Sequence, residues 1–254
     1  MRRVSNKTRK EPQIKKQLDT FERNFVELRS QDQWIKDVIH NNIPYTTTGV
    51  LAMYDLVKTV EHIVKSNLVG DMVECGVYMG GSCRLIMDTL NYLNDKRTVW
   101  MYDTYNGVPF PGDTDMYHWE EHSNKNMQEW FIDHGHFDDG VGTTWCYSSL
   151  DDVKENISSV NYQGNVEFIK GKVEDTIPEI GPNNISLLRI DVDLAEPTRH
   201  ILDHFYNRVS EKGHVIFDDY GFNPTLRTYV DNFISNNGNP FMYRINRTVQ
   251  HLVK

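Results

Sequence analysis

The sequence predicts an α/β fold with a mostly parallel, seven-stranded sheet, a C-terminal antiparallel hairpin and helices on both faces. Apolar runs of strand length alternate with helix-like segments between residues 72 and 217, and this alternation is typical of parallel sheets whose strands are joined by helical crossovers. Two further apolar runs, 241–245 and 249–253, are separated by the turn residues Asn246, Arg247 and Thr248. These runs predict the hairpin.

The individual elements follow from the apolar runs and their boundaries. Parallel strands are predicted at 72–75, 99–103, 165–170, 185–190 and 214–217. Helices are predicted at 50–64, 83–93, 120–132, 150–160, 197–209 and 224–234. The segment 171–178 is predicted as the loop that follows the third strand.

Two segments lie outside this core. Residues 1–45 are polar and of mixed charge, with Phe21, Phe25 and Leu28 at helical spacing, so they predict an N-terminal helical extension before a main domain at 46–254. The extension and the loop after it either cap the sheet or close over a substrate. An insertion at about 109–149 is rich in glycine and histidine. Such a long excursion is usually a lid or a subunit contact, which makes a homo-oligomer plausible.

Composition and charge argue against several classes of function. The chain has 254 residues and a net charge of −9, whereas nucleic-acid-binding surfaces need clustered Lys and Arg. No apolar run approaches the ~18 residues of a membrane span, and the charged N-terminus lacks the apolar region of a signal peptide. Cys75, Cys83 and Cys146 do not form a disulfide framework. We therefore expect a cytoplasmic protein without nucleic-acid or membrane partners.

Pairs of carboxylates end two of the predicted strands. Asp191 and Asp193 follow one strand, and Asp218 and Asp219 follow the next after a crossover helix. Because parallel strands end at the same edge of a sheet, these acids should lie close together. They would repel one another unless a positive charge lies between them. Oxygen ligands favour Mg²⁺ over Zn²⁺, with Mn²⁺ or Ca²⁺ as substitutes; helix capping is the alternative reading.

A glycine-rich turn follows the first predicted strand, at Gly76, Gly80 and Gly81. A strand, a glycine-rich turn and a helix offer backbone N–H groups to a ligand, but the spacing is neither the dinucleotide fingerprint nor a P-loop. Glu74 would attract an ammonium group, and Asp103 at the end of the second strand suits the hydroxyls of a ribose. The pattern favours a nucleoside with a cationic substituent; structural roles for the turn and for Asp103 are the alternatives.

Four histidines in the insertion raise the alternative of a zinc site. His118 and His122 form an i,i+4 pair without convincing further ligands, and no cysteine accompanies His134 and His136. The sequence therefore does not favour zinc.

Three motifs stand out together: Val-Glu-Cys-Gly-Val-Tyr-Met-Gly-Gly-Ser at 73–82, Leu-Arg-Ile-Asp-Val-Asp at 188–193 and Val-Ile-Phe-Asp-Asp-Tyr-Gly at 215–221. With Thr-Thr-Thr-Gly at 46–49 and Val-Glu-Asp-Thr-Ile-Pro at 173–178, they resemble the macrocin O-methyltransferase (TylF-type) family. The resemblance implies a Rossmann-like class I methyltransferase fold and S-adenosylmethionine (SAM) as the methyl donor. It also implies a divalent cation, Mg²⁺ or Mn²⁺, and a sugar hydroxyl on a small-molecule or glycan acceptor.

The resemblance implies roles for particular residues. The donor site would comprise Glu74, Gly76, Tyr78 and Ser82 near the methionine part, Asp103 at the ribose, Val173 and Glu174 near the adenine, and Asp191. The metal ligands would be Asp191, Asp218 and Asp219. Asp191 and Asp193 are the candidate catalytic residues, with Asp193 as the base.

The insertion looks longer than the family pattern. It holds the residues best placed to contact an acceptor, so the acceptor cannot be carried over from the family. An O-methyltransferase of a catechol or phenolic small molecule and a non-catalytic donor-binding module are the alternatives.

Overall fold

The structure is a computed structural model that describes residues 7–24, 28, 30–119, 122–136 and 142–254. Its helices are α1 (Glu11–Asn24), α2 (Trp34–Asn42), α3 (Val50–Lys65), α4 (Gly81–Tyr92), α5 (Met127–Asp133), α6 (Leu150–Ser158), α7 (Val173–Thr176), α8 (Ala195–Phe205) and α9 (Pro224–Asn236). Its strands are β1 (Asp71–Cys75), β2 (Val99–Asp103), β3 (Met116–Trp119), β4 (His122–Asn126), β5 (Val166–Lys170), β6 (Ile185–Ile190), β7 (Val209–Phe217), β8 (Phe241–Arg244) and β9 (Gln250–Val253).

Seven of the described strands form one sheet in the order β5-β2-β1-β6-β7-β9-β8. The neighbours from β5 to β7 are parallel, whereas β9 runs antiparallel to both β7 and β8. β3 and β4 form a separate antiparallel pair within the insertion. The predicted fold class, a mostly parallel seven-stranded sheet with a C-terminal hairpin, is confirmed.

The strand register brings the predicted site residues to one edge of the sheet. Cys75 pairs with Ile190, and Ile190 pairs with Phe217. The ladder continues one step further, because the N–H of Asp191 donates to the Cys75 carbonyl and the N–H of Asp218 to the Ile190 carbonyl. The residues that follow the central strands therefore begin side by side.

Apolar side chains cover both faces of the sheet. One face packs against α2, α3 and α4, and the other packs against α8 and α9. Alternate residues of each strand supply the two faces, as Leu187 and Leu188 do in β6. β6 is buried along its whole length, which fits a central parallel strand. One charged residue, Arg189, breaks its apolar run and is 1% exposed.

The structure corrects the predicted helix at 120–132. The helix begins at Met127, because Asn126 is its N-cap and accepts hydrogen bonds from the backbone N–H groups of Gln128 and Glu129. The residues before this cap form β4, and residues 120 and 121 lie outside the described part of the chain.

Two other boundaries differ from the predictions by four or five residues. β7 begins at Val209 rather than at 214, and α8 ends at Phe205 rather than at 209. The polar start of β7 has no apolar alternation to reveal it, but Val209 pairs with Ile185 of β6, and the backbone of Lys212 and Gly213 hydrogen-bonds to Lys254. Segment 171–178, predicted as a loop, contains the short helix α7.

The described part of the N-terminal extension supports the loop 46–49, which precedes α3. Gln17 Nε2 donates to the Thr48 carbonyl at 2.6 Å, and Arg9 Nη1 donates to the Thr46 carbonyl at 3.0 Å. Phe25, one of the residues that predicted a helix here, lies outside the described residues. Within the described residues, the structure contains no helix with the length and apolar character needed to cross a membrane.

Candidate active site

A cavity of about 760 Å³ lies where the parallel strands end. This volume is within the range of about 300–1,000 Å³ that is usual for ligand pockets. The glycine-rich turn contributes Gly76 and Tyr78, the end of β2 contributes Asp103, and the loop after β6 contributes Asp191 and Asp193. The loop 46–49, the start of α7, the end of β7 and the insertion also line the cavity.

The predicted metal ligands meet at this edge. Each of Asp191, Asp218 and Asp219 offers one carboxylate oxygen, and these oxygens lie within 4.8 Å of one another. They come from the ends of two neighbouring strands, β6 and β7, whose register places them together. A cluster of carboxylate oxygens suits Mg²⁺ or Mn²⁺. The donor chemistry therefore fits the cation that the sequence predicts.

Arg189 was missed as a site residue, although it is the positive charge closest to these acids on the described chain. Its Nη1 donates to Glu74 Oε1 at 2.5 Å and to Asp191 Oδ2 at 2.6 Å, and its Nη2 donates to Asp218 Oδ1 at 2.5 Å. A single arginine within an otherwise apolar strand that ends in acids was the sequence signal for it. The acids are thus partly neutralised by the protein itself.

One guanidinium does not neutralise the whole group. Three carboxylates contact Arg189, and two more lie beside them. Burial raises the pKa of Glu74 to about 7 despite the nearby guanidinium, and burial together with Asp191 raises the pKa of Asp218 to about 6. Burial and the neighbouring acids also raise the pKa of Asp219 well above its ordinary value. Burial and mutual repulsion thus disfavour ionisation of all these acids together, and a bound dication would stabilise their ionised forms.

Asp193 lies at the bend between β6 and α8 in a left-handed backbone conformation, with φ of 63°. Two hydrogen bonds hold that conformation: the Asp193 N–H donates to Asp219 Oδ2 at 2.9 Å, and Asn223 Nδ2 donates to the Asp193 carbonyl at 3.1 Å. Burial, followed by repulsion from Asp191 and Asp218, raises the pKa of Asp193 well above its ordinary value. A carboxyl with a raised pKa is suited to accept a proton.

Asp103 organises the glycine-rich turn from the end of β2. Its Oδ2 accepts from the N–H groups of Val77 at 2.6 Å and Tyr78 at 3.1 Å, and its Oδ1 accepts from the N–H of Tyr105 at 2.6 Å. Burial raises the pKa of Asp103, while these backbone donors act in the opposite direction. The Asp103 carboxylate, which is predicted to bind the ribose, is thus held in place by backbone N–H groups, two of which belong to the glycine-rich turn.

Gly76 packs directly against the loop that carries Asp191. Its φ is +89°, and a Cβ added there would lie 1.6 Å from the Asp191 carbonyl oxygen. Only glycine fits this position, because any side chain would collide with the backbone of the acid-bearing loop.

The predicted donor residues divide into two groups. Those that line the cavity are Gly76, Tyr78, Asp103, Val173, Glu174 and Asp191. Glu74 and Ser82 are not among the lining residues: Glu74 accepts from Arg189 and from the Cys83 thiol at 2.8 Å, and the Ser82 hydroxyl lies 3.4 Å from the Thr48 hydroxyl. Both side chains face inward to these partners, and direct contact of either with the donor stays a prediction.

An aromatic wall, formed by Tyr117, Trp130, Trp145 and Phe222, lines part of the same cavity as the glycine-rich turn. Three of its members come from the insertion. The Tyr117 and Trp130 rings stack with centroids 4.8 Å apart, and the Trp145 ring lies 5.9 Å from Phe222. Sequence reasoning assigned the insertion to the acceptor side but did not identify these residues.

Asp115 attaches the insertion to the acid-bearing loops and was also missed. Its Oδ1 accepts from the Ala195 N–H at the start of α8 and from Asn223 Nδ2, and its Oδ2 accepts from the Gly112 N–H. Asn223 also caps α9. No sequence signal separates Asp115 from the other acids of the insertion, because its partners are distant in the chain.

Among the described side chains, His118, His134 and His136 do not belong to the group formed by the three aspartates. His134 and His136 stack on the Trp130 ring, with centroid distances of 4.4 and 5.4 Å. His118 donates its backbone N–H to the Phe222 carbonyl. The His122 side chain lies outside the described part of the structure.

Comparison with known proteins identifies the family. The family model described as Macrocin-O-methyltransferase (TylF) matches residues 3–248, which include the N-terminal extension and the insertion. The chain is 28% identical over 197 residues to demethyldecarbamoylnovobiocin O-methyltransferase from Streptomyces niveus, and the alignment covers 74% of this chain and 67% of that protein. It is 29% identical over 198 residues to mycinamicin III 3''-O-methyltransferase from Micromonospora griseorubida, and this alignment covers 77% of this chain and 72% of that protein.

Solved structures agree on the fold. The O-methyltransferase NovP aligns with a TM-score of 0.71 and 23% identity over 95% of this chain and 97% of its own. The calicheamicin methyltransferase CalS11 aligns with a TM-score of 0.59 and 12% identity over 96% of this chain and 94% of its own. With a family match over nearly the whole chain and the class I methyltransferase fold, this protein belongs to the macrocin O-methyltransferase (TylF) family of SAM-dependent O-methyltransferases.

Proposed function

We propose that this enzyme transfers the methyl group of SAM to a hydroxyl of a sugar on a glycosylated small molecule, with Mg²⁺ or Mn²⁺ bound by Asp191, Asp218 and Asp219. One observation carries the proposal: oxygens of these acids converge within 4.8 Å in the same cavity that the glycine-rich turn lines. A donor site and a cation site therefore share one space, as transfer to a coordinated hydroxyl requires.

The names of the relatives support a sugar as the acceptor. They include a mycinamicin III 3''-O-methyltransferase and a tetracenomycin-C 4'-O-methyltransferase whose substrate carries a rhamnosyl group. The aromatic wall of this chain offers flat apolar surfaces beside the acids. Such surfaces suit the apolar faces of a sugar ring and an attached apolar group.

The donor would lie against the glycine-rich turn. The Asp103 carboxylate, at the end of β2, suits the ribose hydroxyls, and Val173 and Glu174 border the cavity on the side assigned to the adenine. Ionised carboxylates beside the donor would favour its sulfonium form over S-adenosylhomocysteine (SAH), whose sulfur carries no charge. This charge preference would help product release after transfer.

A bound divalent cation would supply Lewis acidity, which lowers the pKa of a hydroxyl oxygen that it polarises. The chain's own residues would do the rest. Asp193 would take the hydroxyl proton while the oxygen forms a bond to the methyl carbon and the carbon–sulfur bond breaks, leaving SAH. Asp219 and Asn223 would fix the position of Asp193 through their hydrogen bonds to its backbone. Because SAM is already activated, positioning would supply most of the rate acceleration.

The direct test is methylation of a panel of 6-deoxysugar glycosides, followed by mass spectrometry and by SAH formation. With an acceptor in hand, Asp218→Asn should abolish turnover while SAH binding, measured by calorimetry, persists. Asp203→Asn is the matched control, because Asp203 lies on α8 and bonds to Arg199 and Tyr229 away from the cavity. Full turnover of the wild-type enzyme in excess chelator would refute metal dependence.

A phenolic acceptor is the second candidate, and the aromatic wall favours it. Stacked rings such as Tyr117 and Trp130 could hold a planar catechol as well as a sugar. Including catechols and aryl glycosides in the same panel separates the two candidates. Methylation of free catechols with glycosides left unchanged would replace the sugar proposal.

A further inference from the structure

Arg189 distributes its terminal N–H groups over four acceptors. Nη1 donates to Glu74 and Asp191, and Nη2 donates to Asp218 and, at 3.1 Å, to Thr48 Oγ1. Each terminal nitrogen of a guanidinium carries two N–H groups, so this arrangement uses all four. The side chain is 2% exposed, and its position is therefore fixed by these partners and by the sheet around it.

The contacts fall on the carboxylates that would bind the cation. Arg189 holds one oxygen of Asp191 and one oxygen of Asp218, and each carboxylate has a second oxygen that could coordinate a cation. A planar guanidinium fixes direction as well as charge, because its N–H groups point in set directions. The separation of the two carboxylates is thus determined by one rigid group on β6.

The fourth acceptor connects this group to the loop 46–49. Thr48 is 7% exposed, and its carbonyl accepts the hydrogen bond from Gln17 of α1 at 2.6 Å. A chain of hydrogen bonds therefore runs from the N-terminal helix through Thr48 and Arg189 to the acids. Loop 46–49 lines the cavity, so its placement and that of the acids are set together.

We propose that Arg189 is a positioning residue that holds Asp191 and Asp218 at the spacing a divalent cation needs and that ties this spacing to loop 46–49 through Thr48. The inference rests on the metal dependence proposed above. Groups that orient metal ligands typically change metal affinity by about 10- to 100-fold when they are replaced. Arg189 acts through the carboxylates and need not touch the substrate.

The sign of the effect separates positioning from charge. Arg189 is a cation beside a proposed dication site, so its charge alone opposes metal binding. Lysine keeps that charge but presents a flexible point donor in place of the fork. Arg189→Lys should therefore weaken metal binding only if geometry is what the arginine provides. Arg189→Met would mix both effects and is a poorer test.

The experiment measures Mn²⁺ binding to the full chain by calorimetry and by electron paramagnetic resonance, without any acceptor. We expect Arg189→Lys to weaken Mn²⁺ binding by about 10- to 100-fold and to broaden the resonance of the bound ion, while SAH binding reports an intact fold. The matched control is Arg97→Lys, because Arg97 also donates to several acceptors, including Gly70 and Ser186, but lies outside the cavity. It should bind Mn²⁺ as the wild type does.

A milder variant keeps the test valid if Arg189→Lys does not fold. Thr48→Val removes one acceptor of the arginine with little change in shape, and it should weaken Mn²⁺ binding less than Arg189→Lys does. Thr89→Val is its control, since the Thr89 hydroxyl donates within its own helix, to the Leu85 carbonyl.

The outcomes distinguish this inference from the proposal on which it rests. Wild-type Mn²⁺ affinity in a folded Arg189→Lys protein, or in Thr48→Val where Arg189→Lys does not fold, would overturn the positioning role and leave metal dependence intact. Absence of Mn²⁺ binding in the wild type would overturn both. Equal losses in the Arg97 and Thr89 controls would also overturn the inference, because the effect would then follow from general destabilisation.

Discussion

Replacement of Gly76 by alanine tests how the glycine-rich turn and the acid-bearing loop depend on each other. The added Cβ would lie 1.6 Å from the Asp191 carbonyl oxygen, whereas ordinary contact begins at 3.4 Å. One of the two loops must therefore move by more than an ångström. The φ of +89° adds about 1–2 kcal/mol of left-handed strain for a residue with a Cβ.

Both consequences should be measurable. A displacement of about 1 Å in an active site can cost about 10²-fold in rate, so Gly76→Ala should lower kcat/KM for methyl transfer by at least that factor. Its unfolding temperature should also fall, because the collision adds to the backbone strain. The assays are SAH formation under saturating donor and thermal unfolding by circular dichroism.

Gly238 provides a matched control. Its φ is +85°, close to that of Gly76, but a Cβ there meets nothing within 4 Å. Gly238→Ala should cost about 1–2 kcal/mol of stability through the same backbone strain and leave kcat/KM unchanged. If Gly76→Ala behaved like Gly238→Ala in both assays, the close packing of the turn against the Asp191 loop would be refuted.

Three further predictions follow from the same geometry. Asp193→Asn should lower kcat by about 10²- to 10⁴-fold through loss of the base while Mn²⁺ and SAH binding persist in calorimetry; retained turnover would assign the base elsewhere. Asp103→Asn should weaken SAH binding and lower stability by about 1–3 kcal/mol for each turn N–H left without an acceptor; unchanged SAH affinity would contradict the ribose assignment. Burial lowers the pKa of His214 to about 3, so below about pH 6.5 the unfolded chain binds a proton that the folded chain does not. The free energy of unfolding should therefore decrease as the pH is lowered, by up to about 1.4 kcal/mol per pH unit. His214→Leu should remove this contribution to the slope in urea titrations between pH 4 and 7, and a slope identical to that of the wild type would refute the cause.

The sequence was most informative where local pattern and topology agree. The apolar runs of β1, β2, β5 and β6 are bounded by turn residues, and each appears as a strand in the sheet. Because parallel strands end at one edge, the positions of Asp103, Asp191 and Asp218 followed from strand order alone. Their convergence is a property of the fold class more than of any individual contact.

Contacts between distant segments were not predictable in this way. Arg189 reads as an interruption of an apolar strand, and its role depends on Glu74, Asp218 and Thr48, which are far apart in the sequence. The clustered acids predict a positive charge between them, and Arg189 on β6 supplies one that was not anticipated. This single guanidinium contacts three carboxylates.

Segments whose boundaries depend on capping or on edge pairing were also misassigned. The helix predicted at 120–132 was shortened by the cap at Asn126, and β7 was extended by pairing at a polar stretch. The aromatic wall could not be assembled from sequence, because Phe222 joins Tyr117 and Trp145 only through the tertiary fold.

Anomalous diffraction at the manganese edge, from crystals grown with Mn²⁺ and SAH, tests the central claim most directly. We expect one strong peak within direct ligand distance of Asp191, Asp218 and Asp219, with the nucleoside against the glycine-rich turn beside it. Well-ordered SAH in the cavity with no manganese at these aspartates would contradict the account.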